Sequence, residues 1–430
     1  MVTGPGNSGL VSTTSYKVVL PFYIYAAIAF FVACILLAFS VNGFTAHYFQ
    51  PHTLAITHIM ALGWGTMIIL GASHQLVPVM IENKLFSNTL AWGSFILAAT
   101  GIPLLIYSFY VFDMGWPAQW GGHLIVSAII LYVVNLIISK AKSKHENVHA
   151  VFVLTATIWL LTTTVIGLLL VYNFTIPFLS KNSLEYLPLH AHIGIIGWFL
   201  LLIMGVGSRL IPMFLISKHN NPKELWWIYA LINSGLLVFV FNFLYFHLSG
   251  LYILALLFIG FSIILFAHFC YQAYKERIRK KVDEQMKMSL LSVAMMALPV
   301  VFLFVIIIIT LQQTTENIPL IISYGFIIFF GWITAIILGM TFKTLPFIVW
   351  NKVYHSLAGK RKTPNPKDLF NQSIFKWMTI AYILGFFVFT IGILLNLEAI
   401  LQIGSILLLI TSILYNWNII QLISHKPTTS

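Results

Sequence analysis

Apolar residues run along this chain in long unbroken stretches, not in the alternation of a strand or the one-sided stripe of a soluble helix. Twelve such stretches stand out, at about 18–42, 53–80, 88–111, 121–140, 148–173, 190–217, 224–247, 249–271, 288–311, 319–350, 373–396 and 399–423. Each is close to or above the roughly 20 residues a helix needs to cross the hydrocarbon core of a bilayer. Short turns rich in Asn, Pro, Gly and Lys separate them. Continuous runs exclude a transmembrane β-barrel, whose strands alternate apolar and polar positions. The pattern predicts an all-α integral membrane protein of twelve spans, a single polytopic membrane domain over 1–430 with no soluble domain of any size. Met1 to Tyr16 reads as a polar tail and not as a signal peptide.

The spans repeat. Three segments align without a gap: His58 through Gly63, Trp64 and Gly71 to Pro78; His192 through Gly197, Trp198 and Gly205 to Pro212; Phe326 through Gly331, Trp332 and Gly339 to Pro346. The step from 58 to 192 to 326 is 134 residues each time. Spans two, six and ten therefore correspond, and the chain divides into three four-helix pseudo-repeats at about 18–140, 148–271 and 288–423. The two glycines of each segment lie eight residues apart, on roughly one helical face, where they admit a close neighbour. Three positions before each proline stand Gln75, Arg209 and Lys343. Seventeen residues beyond the His58 position, about 25 Å along the axis, these are expected to snorkel to the aqueous interface.

Composition agrees with the pattern: 60% of residues are apolar and 8% charged, against roughly 25% charged in a soluble domain. The net charge of +12 is not a nucleic-acid signal, because the cations collect in alternate loops. Lys140, Lys142 and Lys144 form one group; Lys218 and Lys223 the next; then Lys275, Arg277, Arg279, Lys280 and Lys281; then Lys352, Lys360, Arg361, Lys362 and Lys367. The loops between hold little beyond Asp113, Lys181, Glu185, Glu316 and Glu398. By the positive-inside rule both termini are expected in the cytoplasm, with the chain in the cytoplasmic (inner) membrane. Cys34 and Cys270, each within a span, are expected to be reduced packing residues.

Histidine is the chemistry-bearing residue. His47, His52, His58, His123, His190, His192 and His247 fall at or just below one predicted surface, opposite the basic loops. Imidazoles at membrane depth are costly and commonly functional, and neutral imidazole is a ligand for haem iron and copper. A histidine here can equally be a hydrogen-bonded interface residue, and the convergence of several at one depth is what favours ligation. In His190-Ala-His192 the rings lie about 200° apart around the helix, so they face different neighbours and one helix could serve two sites. His145, His219, His355 and His425 read as solvated loop residues at the basic side, and His74 as the inner end of span two. No Asp or Glu lies deep in a span, and there is no phosphate-binding glycine loop, serine-triad signature or CxxCH haem-attachment motif.

The strings HIMALGWGTMIILGASHQLVPVM and HAHIGIIGWFLLLIMGVGSRLIPMF, in a threefold twelve-span chain, resemble subunit I of the haem-copper oxidase superfamily. They also resemble the NnrS-like membrane haem-copper proteins associated with nitric oxide. The resemblance implies the cytochrome oxidase subunit I-like fold, non-covalent haem, copper or both near the outer face, and an electron donor such as cytochrome c or quinol. Carried over residue by residue, it implies His58 as the haem ligand of span two and His190 or His192 as the copper ligand of span six, with a single His247 near the matching end of span seven. With their shared depth, this makes His58 and His192 the first expected haem or copper ligands, then His190, followed by His123 and His247. Span ten departs from the oxidase pattern: the positions equivalent to His190 and His192 read Tyr324 and Phe326. The expected function is redox handling of nitric oxide or oxygen by a haem- or copper-binding relative, an oxidoreductase if it turns over. The rivals are a transporter or channel and a non-catalytic scaffold that keeps the fold.

Overall fold

The computed structural model describes residues 14–143, 147–312, 316–357 and 362–427. Lys144, His145, Lys360 and Arg361 of the predicted basic loops, and most of the N-terminal tail, lie outside them. Among the described residues there are twelve helices long and apolar enough to cross a membrane, and no strand. They are α1 (Tyr16–Phe39), α2 (Pro51–Met80), α3 (Asn88–Val111), α4 (Trp116–Ala141), α5 (Val148–Thr175), α6 (Leu187–Leu215), α7 (Pro222–Phe246), α8 (Ser249–Lys275), α9 (Glu284–Gln312), α10 (Ile318–Tyr354), α11 (Gln372–Leu395) and α12 (Glu398–Ile423). The protein is a multi-pass, all-helical membrane protein. Helices are the form in which each span satisfies its own backbone without water.

Burial separates an inner set from an outer one. In α2, α6 and α10 the apolar window is 78, 67 and 78% buried; in the other nine it is 22–50%. The three corresponding repeat helices are thus the central ones, and the other nine carry most of the lipid-facing surface. Two hydrogen bonds tie the centre together: Trp64 Nε1 donates to Thr334 Oγ1 at 3.1 Å, and Trp198 Nε1 donates to Thr66 Oγ1 at 3.0 Å. The bonds run α2 to α10 and α6 to α2, the same donor position to the same acceptor position around a pseudo-threefold arrangement. The third acceptor position is Leu200, which has no oxygen to offer.

The repeat glycines pack as their spacing predicts. A Cβ on Gly71 would stand 2.6 Å from Phe22 Cβ of α1, and Gly205 and Gly339 meet Phe152 of α5 and Ser289 of α9 just as closely. Each inner helix therefore presses its second glycine against the first span of its own unit. The last two spans of each unit pair tightly, α3 on α4, α7 on α8 and α11 on α12.

Each inner helix also widens into i→i+5 turns immediately after the 58, 192 and 326 positions, over Ile59–Thr66, Ile193–Leu200 and Ile327–Ile333. Such turns insert an extra residue and are frequent beside functional sites. At the basic end, Lys343 corrects the snorkelling expectation. It is buried and paired with Asp283, which also accepts from Arg279 at 3.1 Å and caps the start of α9. A carboxylate within reach makes the buried ion pair preferable to a stretch toward water. Arg209 is exposed as expected.

Candidate functional site

His58 and His192 occupy one repeat position, and both are held in the same way. His58 Nδ1 lies 2.8 Å from the Leu54 carbonyl and His192 Nδ1 lies 2.8 Å from the Pro188 carbonyl, each one turn back along its own helix. A carbonyl only accepts, so Nδ1 carries the proton in both rings and Nε2 keeps its lone pair. Each helix thus presents a fixed imidazole with Nε2 free to accept or to ligate.

His190 approaches His58 from the neighbouring inner helix. The ring centroids are 6.2 Å apart and the planes are inclined by only 16°. His190 fits against Gly167 of α5, where a Cβ would come within 2.9 Å of its Cε1. The Thr163 carbonyl approaches the same ring, while Nδ1 is buried with no partner. A buried ring nitrogen left without a partner is expensive, and it is an atom that a bound group would satisfy.

His192 meets α10 instead. Tyr324 Oη lies 3.2 Å from His192 Nε2, with ring centroids 5.9 Å apart and planes at 24°. Because Nε2 is the acceptor, the tyrosine hydroxyl donates. The two partners, His190 and Tyr324, hold one repeat position, whose first copy is Ile56. The three interfaces between inner helices therefore present His58 with His190, His192 with Tyr324, and Phe326 with Ile56 at corresponding positions. His190 and His192 do face different neighbours, as their angular separation predicts.

The five histidines singled out in the sequence divide three to two. His58, His190 and His192 line one cavity of about 470 Å³, in the range of about 300–1,000 Å³ usual for ligand sites. Its walls are largely apolar, with Glu316 as the charged residue among them. His123 and His247 are elsewhere. His123 is exposed and shares a 2.8 Å hydrogen bond with the Tyr172 hydroxyl; His247 is exposed at the end of α7. Among the described residues no three His, Cys, Asp or Glu side chains group to hold a metal ion.

That distribution bears on which group fits. A bare zinc or cupric ion requires three or four protein donors. Haem brings four nitrogens of its own and asks the protein for one or two axial ligands. Two imidazoles on opposite sides of one iron, each bonded at about 2 Å, have ring centres about 6 Å apart. His58 and His190 meet that spacing, with a free Nε2 on one ring and an unpartnered nitrogen on the other. A two-imidazole pair is compatible with haem's demand for one or two protein ligands, and among the described residues no three-donor group for a bare metal ion is present.

Sequence reasoning passed over two features. Tyr324 reads as a lost histidine, although it is the donor to His192. Gly167 lies outside the repeat segments, and only its neighbour reveals why it is small. No protein-family model matches the chain, and no curated protein matches its sequence.

Proposed function

We propose that the protein is a membrane haem protein in which His58 and His190 would hold the cofactor, and that it handles a diatomic gas such as nitric oxide or oxygen. The observation that carries this reading is the pair itself: near-parallel imidazoles from two inner helices, 6.2 Å between centres, at a largely apolar cavity. Bound there, haem would supply the electron chemistry.

The chain's own residues do three things in this reading. Leu54 fixes the tautomer and orientation of His58, so that Nε2 points away from its own helix backbone. A second-shell bond of this kind sharpens a ligand's direction and basicity. Gly167 and Thr163 on α5 set the position of His190. The largely apolar walls suit a small uncharged ligand. Tyr324 and His192 border the same cavity and offer a hydroxyl and an imidazole beside it.

The reading favours haem over copper because no third donor joins the pair among the described residues. It places the histidine end toward the outside and both termini in the cytoplasm, on the loop charges alone. The test is a reduced-minus-oxidised absorption spectrum of purified protein with iron and copper analysis. One Soret-absorbing haem per chain, with little copper, is the expected result. A colourless, folded, iron-free preparation after expression with haem supplied would sink the proposal.

A further inference from the structure

A second cavity, of about 360 Å³, adjoins the first at His192, Tyr324, Ile195, Leu303 and Ile306 and lies between α6, α7, α8, α9 and α10. Its origin is a departure from the threefold pattern. In the first unit α1 packs along α12, and in the second α5 packs along α4, but α9 makes far looser contact with α8. The cause is local to α9, which breaks at Met296 three residues before Pro299. Proline lacks the N–H that would continue the ladder and kinks the helix. Beyond the break, across Ala297–Gln312, Pro299 is the only fully buried residue, and α9 is the least buried of the twelve spans. The released half-helix leaves a slot beside α8.

The slot is long, apolar and graded. Its walls run from Ser249 to Ile263 on α8 and from Met296 to Leu311 on α9, about 20 Å at 1.5 Å per residue. One leaflet of the hydrocarbon core is about 15 Å deep. Most polar groups sit at the histidine end, His192, Tyr324, Ser249, Tyr252 and Thr310, while toward the middle of the bundle the walls are mostly aliphatic with the Trp332 indole among them. None of the lining residues is charged. A phosphate or carboxylate headgroup would lose its hydration there with no cation to meet it. A hydroxyl would not, because Tyr324 Oη already gives its proton to His192 and keeps lone pairs free to accept.

We infer that this slot binds a neutral lipid with one long apolar chain and a hydroxyl-bearing head, the head donating to Tyr324 Oη and the chain lying between α8 and α9. A long-chain alcohol and an isoprenoid-type hydroquinone share this chemistry. The inference does not depend on haem at His58 and His190, and the two can fail separately.

The experiment places the purified protein in phosphatidylcholine nanodiscs with a diazirine-bearing hexadecanol, followed by illumination and mapping of the cross-links. Cross-links are expected to concentrate on residues 249–263 and 296–311. Unlabelled hexadecanol, a decylhydroquinone or both should compete; which one competes better identifies the source of the head. Val300→Trp, which fills the slot from the lipid-facing half of α9, should reduce labelling about tenfold. Tyr324→Phe, which keeps the ring, should weaken competition about five- to tenfold, the scale of one hydrogen bond. Equal labelling of the slot by diazirine-bearing palmitate or phosphatidylcholine would overturn the inference. So would labelling that spreads evenly over all lipid-facing spans, or that persists unchanged in both variants.

Discussion

His192 and Tyr324 stand to each other as His58 stands to His190, one repeat further around the inner helices: ring centroids 5.9 and 6.2 Å apart, planes at 24° and 16°. One geometry thus holds an imidazole pair at one interface, a hydrogen-bonded imidazole–phenol pair at the next, and the apolar Phe326 and Ile56 positions at the third.

Tyr324→His should convert the second pair into the first. His192 already has its tautomer set by Pro188, so only the partner changes. If the His58–His190 reading is right, the variant is expected to take up more than one haem per chain, read as the haem-to-protein ratio by pyridine haemochrome assay. A ratio unchanged from the parent, in a folded variant, would count against the shared geometry.

On the proposed function, single alanine substitutions should separate the two haem-holding histidines from their neighbour. His58→Ala and His190→Ala should each lower haem affinity by 100-fold or more, since removing a ligand exceeds the roughly 10–100-fold cost of losing a supporting contact. His192→Ala should cost tenfold or less. Titration of haem into the three apoproteins measures this order, and a reversed order would move the cofactor to the α6–α10 interface.

Thr66→Val and Thr334→Val each remove an acceptor from a buried indole at the centre of the bundle. Interhelical hydrogen bonds in membranes contribute about 0.6 kcal/mol on average and up to about 1.7. These lie between central helices, so the upper half of that range is expected. Unfolding in mixed micelles at increasing SDS fraction would show it, and Leu200, where no such bond exists, provides the control position.

Gly71→Val should be far worse than a lipid-facing substitution. Its first added carbon already meets Phe22 Cβ at 2.6 Å, and overpacking costs about 1–3 kcal/mol. Loss of the monodisperse gel-filtration peak is expected, whereas Ile28→Val, on the exposed face of α1, should leave the peak unchanged.

Tyr48, in the loop before α2, supplies a pH dependence outside the membrane. Burial pushes its hydroxyl pKa up, and the neighbouring Glu316 carboxylate pushes it the same way. The folded state therefore holds this proton more tightly than the unfolded chain. Its contribution is intact below the ordinary tyrosine value of about 10 and is lost as pH rises above it. Melting temperature should fall less between pH 9 and pH 11 in Tyr48→Phe than in the parent; an identical fall would show that the contact is idle.

The twelve spans were legible because bilayer length is a property of the chain alone, and the Gly-Trp-Gly-Pro spacing marked the three helices that are the most buried. The convergence of His58, His190 and His192 was legible for the same reason: depth follows from counting residues along helices. Their pairing was not, because which faces meet depends on the i→i+5 turns after each position, and no single residue announces them. His123 and His247 share the depth and miss the cavity, since depth says nothing of direction around the bundle. Among the basic-side histidines read as solvated loop, His219 proves largely enclosed and bonded to Glu276, and His425 bonds Tyr354. Lys343 misleads in a similar way, since its partner Asp283 is sixty residues away in sequence.

The widened turns after His58, His192 and Phe326 act like a slipped gear tooth in each inner helix. An inserted residue turns everything before it by about 100° relative to everything after it, so the half bearing the rings and the half bearing the glycines need not share one angular phase. Changes in what the first half presents can then accumulate without unmeshing the second, which leaves the three units room to diverge in chemistry on one common frame.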